Sequence, residues 1–162
     1  MIARVGAALL CLAAAGGAAG AQRDRLRVDW GLHGSWPEYV SASFGVSRMR
    51  TDGGGEQRGF FVAVEPGLNG GRISVGQRRG FEDGVWSTHF GLLHTWNAPQ
   101  DTRPGVTYLG TEQRVTFAWF EVGLGFGYRV AGGEPTTPFG GLTQRGVQTI
   151  IITGVLGAHF AF

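Results

Sequence analysis

The sequence predicts an all-β chain in which eight antiparallel strands, joined up-and-down, close into a barrel. Three observations lead there. Apolar residues alternate with small or polar ones through most of residues 22–162, breakers separate the alternating runs, and helical periodicity is hard to find. Composition sets the frame: 30 of 162 residues are Gly, and only 16% are charged, against about 25% charged in an ordinary soluble domain. Five Trp, eleven Phe and three Tyr argue against disorder. All fourteen basic residues are Arg, and a formal charge of +2 is too small to point to nucleic acid.

Residues 1–21 read as a secretory signal peptide. Arg4 supplies a positive start, Val5 to Ala15 an apolar middle, and Ala19-Gly20-Ala21 a small-x-small cleavage site. The apolar part is shorter than the ~20 residues of a spanning helix. Cys11 leaves with that segment, so the mature region 22–162 is expected to be one domain without disulfides. No later run of 18 apolar residues occurs. The exported chain is therefore soluble or crosses a membrane as strands.

The strands follow in order. From Val28 to Trp36 the even positions are mostly apolar or aromatic, and Val40 to Ser47 alternates without exception. In 60–64, Phe60, Val62 and Val64 share a side, with Phe61 and Ala63 blurring the contrast. Ile73 and Val75 oppose Arg72, Ser74, Gly76 and Arg78 in 72–78, and Trp86, Phe90, Leu92 and Trp96 oppose Ser87, His89, Gly91 and Thr95 in 85–96. Residues 106–117 form the weakest strand. Its partner 120–130, reached over a two-residue turn at Ala118-Trp119, sets Phe120, Val122, Leu124, Phe126, Tyr128 and Val130 against Glu121, Gly123, Gly125, Gly127 and Arg129. The last run, 150–162, places Ile150, Ile152, Leu156, Phe160 and Phe162 opposite Thr153, Gly157 and His159. Breakers such as Trp36-Pro37-Glu38, Asn69-Gly70-Gly71 and the long stretch Ala131 to Gly146 fall between.

Alternation alone does not say which face is buried. A soluble sandwich hides its apolar face, whereas a transmembrane barrel turns it to lipid and fills its lumen with the polar one. The polar face here carries small residues with isolated charges, which suits a narrow interior where charges must be paired. The expected lumen network is Asp29, His33, Glu65, Arg72, Arg78, His89, Glu112, Arg114, Glu121, Arg129 and His159. In it the acids 29, 65, 112 and 121 balance the arginines 72, 78, 114 and 129. The glycine row 123, 125 and 127 makes room for Arg129. Aromatic residues gather near strand ends, where interfacial girdles would lie.

The chain closes on Gly154, Leu156, Ala158, Phe160 and Phe162, one face of a strand with a terminal aromatic. This resembles the C-terminal signature by which bacterial outer-membrane barrels are recognised by their insertion machinery. With eight strands, the mature chain resembles the small outer-membrane barrels of the OmpA and OmpX type. The resemblance implies a monomer in outer-membrane lipid, handled by the barrel-insertion machinery. It also implies a side-chain-filled lumen, a structural or surface-interaction role, and no general pore.

Chemistry is sparse. His33-Gly34-Ser35 has the His-x-Ser spacing of PagL, a barrel family that deacylates lipid A, and Ser87-Thr88-His89 shares the spacing. Alternation places both pairs in the lumen rather than toward lipid, so a lipid A-modifying enzyme stands as an alternative without assigned catalytic residues. The histidines at 33, 89, 94 and 159 show no metal-ligand spacing and have no cysteine partner, so neither metal nor cofactor is expected. A soluble, lipocalin-like periplasmic ligand binder is the remaining alternative.

Overall fold

A computed structural model describes residues 25–51, 56–133, 135–137 and 147–161. The proposed signal peptide 1–21, the terminal Phe162 and most of the 131–146 connection lie outside the described residues. Ten strands run in chain order: β1 (Arg25–Trp36), β2 (Tyr39–Thr51), β3 (Gln57–Pro66), β4 (Gly70–Phe81), β5 (Gly84–Thr95), β6 (Thr107–Phe117), β7 (Phe120–Ala131), β8 (Pro135–Thr137), β9 (Val147–Gln148) and β10 (Ile150–Ala161). Eight of them close into an antiparallel barrel in the order β1-β10-β7-β6-β5-β4-β3-β2, and the short β8 and β9 pair with each other in the last connection.

Each long strand matches one of the alternating runs. Side chains of period two can cover both walls of a barrel only if every register keeps the parity, and it does. The row that leaves Trp30 passes Phe44, Val64, Ile73, Leu92, Leu109 and Tyr128 and reaches Ile150. Trp30 itself also faces Phe160 on the same strand. The wall thus returns staggered by ten residues, which tilts the strands as barrel closure requires.

The two rims differ. At one, β4–β5 and β6–β7 are joined by two-residue turns, the latter with Ala118 at φ 51. At the other, the β1–β2 and β3–β4 links are short, but residues 96–106 and 132–149 make long connections. We call these the turn rim and the loop rim. Just below the loop rim the lumen is plugged by Leu93, Val106, Tyr108 and Ile151, which pack as one buried apolar cluster.

Inside and outside are inverted relative to a water-soluble fold. Among the described residues 29 large hydrophobic side chains are exposed, including all five Trp, and seven hydrophobics are buried. Asp29, His33, Glu65, Arg72, Glu112, Arg114 and Glu121 are buried instead. The outer wall is not uniformly apolar. Gln113 on β6 accepts hydrogen bonds from Trp86 Nε1 and Thr88 Oγ1, each at 2.8 Å, so this polar spot on the weakest strand satisfies itself.

Candidate functional site: the ion-paired lumen

Arg114 is the hub. It extends from β6 into the barrel, where its planar fork of donors reaches three carboxylates on three strands. Nη2 donates to Glu65 Oε2 at 2.7 Å, Nε to Glu112 Oε1 at 2.5 Å, and Nη1 to Glu121 Oε1 at 3.1 Å. Glycine makes the room. A Cβ at Gly123, opposite Arg114 on β7, would stand 2.6 Å from Arg114 Cγ. The glycine row therefore serves Arg114 at Gly123, and Tyr108 and Ile151 at Gly127, rather than Arg129.

Around the hub the charges join across the lumen. Arg72 on β4 donates to Glu112 Oε2 at 2.6 Å and to Glu38 Oε2 at 3.1 Å. Arg78 donates to Asp29 Oδ2 at 2.6 Å and lies 4.6 Å over the Phe61 ring, which in turn sits against His89. Hydroxyls fill remaining lone pairs: Ser41 donates to Glu65 Oε1 at 2.6 Å, Thr153 to Glu112 Oε2 at 2.7 Å, and Thr116 to Glu121 Oε2 at 2.9 Å. Buried ions are tolerable only with such partners, because each has lost its water.

The histidines complete the network. His33 Nδ1 donates to Glu65 Oε1 at 3.2 Å, while its Nε2 stands 3.3 Å from Glu121 Oε1. His159 Nδ1 lies 3.3 Å from Glu121 Oε2, and its Nε2 lies 3.9 Å from Asp29 Oδ1. Among the described residues, His33, Glu121 and His159 form a cluster whose ligand atoms all lie within 4.8 Å of one another, close enough to hold a metal ion. His89 is set apart, with Ser87 Oγ 3.0 Å from Nε2 and Ser74 Oγ 3.4 Å from Nδ1.

Ten of the eleven lumen residues read from the sequence thus lie in or beside one connected interior. Arg129 is the exception. It donates to the carbonyls of Gly132 and Gly133 in the loop-rim connection and meets no lumen acid. With Arg129 at the rim, the lumen loses one expected cation and gains one acid, Glu38, from the turn between β1 and β2. Pro37 and Glu38 make the β1–β2 link, and the Glu38 side chain folds inward until it is fully buried. Burial there pushes its carboxyl up to about 7, against the opposing pull of Arg72. Phe61 was also missed as a lumen residue, although it shares parity with Glu65, and that shared parity was the available signal.

The hydroxyl–imidazole pairs do not form a reaction centre. Ser35 and His33 are both buried, and His33 is committed to carboxylates. Ser87 and His89 do touch, but they are sealed inside, and the second nitrogen of His89 meets a serine instead of an orienting acid. His94 points outward, 2.8 Å from Thr107 Oγ1 and beside Trp96. Within the charged interior, a cavity of about 20 Å³ bounded by Arg72, Ser74, His89, Tyr108 and Glu112 has room for about one water molecule.

Fold and lumen together define a class: a closed eight-stranded antiparallel barrel with an apolar outer wall and a plugged, ion-paired interior. Beyond that class, no family model, curated protein or solved structure matches the chain.

Proposed function

We propose that the chain is an outer-membrane barrel of the small OmpA/OmpX type, with a structural or surface-interaction role and no general pore. One observation carries the reading: 29 large hydrophobic side chains lie exposed while the charged ones are buried. In water such a wall would aggregate, since monomeric soluble proteins rarely expose apolar patches of more than a few hundred Å². In hydrocarbon it is the stable arrangement, because closure leaves no unpaired strand edge.

Details support the same reading. Long strands of 10 to 13 residues match the ~9–11 needed to cross a bilayer. Trp36, Tyr39 and Trp96 gather toward the loop rim, and Phe81, Phe117, Trp119 and Phe120 toward the turn rim, as two girdles would. Gly154, Leu156, Ala158 and Phe160 share the outward face of β10, with Phe160 stacked on Trp30 at 4.7 Å between centroids. The insertion machinery would read that face. The soluble lipocalin-like alternative needs an open apolar cup, whereas this interior is ionic beneath a filled apolar plug.

Membrane fractionation with gel electrophoresis tests the proposal. The expected result is recovery in the outer membrane and faster migration of the unboiled protein. Release into the soluble periplasm without detergent would overturn it. In planar bilayers the plugged lumen predicts no sustained conductance.

A further inference from the structure

We infer that His33, Glu121 and His159 form a binding site for one divalent transition-metal ion, of the zinc type, inside the turn-rim half of the barrel. The inference stands on lumen geometry alone and holds whether the outer wall meets lipid or water.

Barrel closure makes the cluster. His33 on β1, Gly157 on β10 and Glu121 on β7 lie in one register row, and His159 sits two residues along β10 on the same inner face. The glycines on either side keep the His33 ring in place. A Cβ at Gly31 would fall 2.8 Å from His33 Nε2, and one at Gly157 would fall 2.8 Å from its Cδ2. No spacing rule could reveal this set, because its members are far apart in sequence on three neighbouring strands.

The two imidazole nitrogens are free for a ligand, while the Glu121 oxygens also accept from Arg114 and Thr116. His33 has a fully buried side chain, and its Nε2 has no hydrogen-bond partner; neither does Nδ1 of His159. Both nitrogens nevertheless stand 3.3 Å from Glu121 oxygens, His33 Nε2 from Oε1 and His159 Nδ1 from Oε2. Ligand atoms at about 2.0–2.1 Å from a tetrahedral zinc are separated by roughly 3.3 Å from one another; the ligand atoms of this set all lie within 4.8 Å of one another, so a bound ion draws them slightly together. A metal ion would take Nε2 of the His33 tautomer that donates from Nδ1 to Glu65. A carboxylate behind a metal-binding imidazole fixes its tautomer and raises its basicity. Asp29 Oδ1, itself without a hydrogen-bond partner, lies behind His159 in the same sense, 3.9 Å from Nε2.

Charge also calls for a cation. The interior holds five buried carboxylates, on Asp29, Glu38, Glu65, Glu112 and Glu121, against the guanidiniums of Arg72, Arg78 and Arg114. Even with Glu38, whose carboxyl is pushed up to about 7, left out of the count, four carboxylates face three guanidiniums, so a cation beside Glu121 is favoured by charge. Arg114 beside Glu121 opposes the ion, but it also answers to Glu65 and Glu112.

The full chain, folded in detergent micelles with Co(II) or Zn(II) present and then desalted, tests the site. The wild type is expected to retain about one equivalent of metal, with the visible bands of tetrahedral Co(II), and to unfold at a higher temperature with zinc than with chelator. His159→Gln, at the more accessible ligand, should weaken retention at least about tenfold, as should His33→Asn. His94→Ala should leave it unchanged. Folding of each variant is read independently from its unboiled gel mobility, and His159→Gln suffices if His33→Asn does not fold. A folded wild type that retains no metal, or folded His159→Gln that retains as much as wild type, overturns the inference. Neither result bears on where the barrel resides.

Discussion

Arg114 and Arg129 both lie on the inward face of neighbouring strands, β6 and β7, yet they live in different worlds. Arg114 is sealed in the lumen with three carboxylates, whereas Arg129 turns to the carbonyls of a rim connection. The difference is one of depth. Mid-barrel, no water can solvate a guanidinium, so the sequence must supply acids from facing strands. Near a rim the half-buried side chain reaches backbone carbonyls, and no acid is needed. The apolar plug of Leu93, Val106, Tyr108 and Ile151 marks the boundary between these regimes.

Substitutions can break that comparison, and the largest effect belongs at the hub. Arg114→Met leaves Glu65, Glu112 and Glu121 without their shared cation, and removing one member of a buried ion pair costs about 3–5 kcal/mol. Urea unfolding in micelles should show a loss of that size or outright failure to fold. Next comes the plug: Leu93→Ala should lose about 2–3 kcal/mol through a cavity that its neighbours cannot fill.

Glu38 gives a pH effect. Its folded carboxyl is raised to about 7 from an ordinary 4.5. The folded state therefore holds the proton more tightly, a stabilisation fully present below pH 4.5 and lost as pH rises through about 7. Melting temperature should fall across that window in wild type and fall less in Glu38→Gln. The smallest effect is expected at Arg129→Ala, under about 1 kcal/mol, because an exposed polar contact is worth little. A loss there as large as at Arg114 would erase the distinction between depth and rim.

Much of this was legible in the sequence. All eight barrel strands show in the alternation, and the two-residue turn at 118–119 appears where the runs reverse. Even 106–117 forms β6 despite its outward Thr111 and Gln113, because two well-patterned neighbours hold its register. Partner choice was not legible. Parity tells which way Arg78 points but not that it crosses to Asp29, 49 residues away, since that depends on barrel stagger. Glu38 was hidden because a turn residue has no parity to read. Met49, Leu93, Ile151 and Val155 face inward against the apolar-outward rule. They do so because a narrow lumen must be filled by volume as well as by charge.

Nitroxide labels at Leu124 and Leu156, on the outer wall of the reconstituted barrel, test the inverted polarity most directly, with a label at Gln100 in the loop-rim connection as the aqueous reference. The account predicts that the two wall labels respond to oxygen dissolved in the acyl chains and are shielded from a water-soluble paramagnetic reagent, while Gln100 shows the opposite. Equal access of the aqueous reagent to all three positions would contradict it.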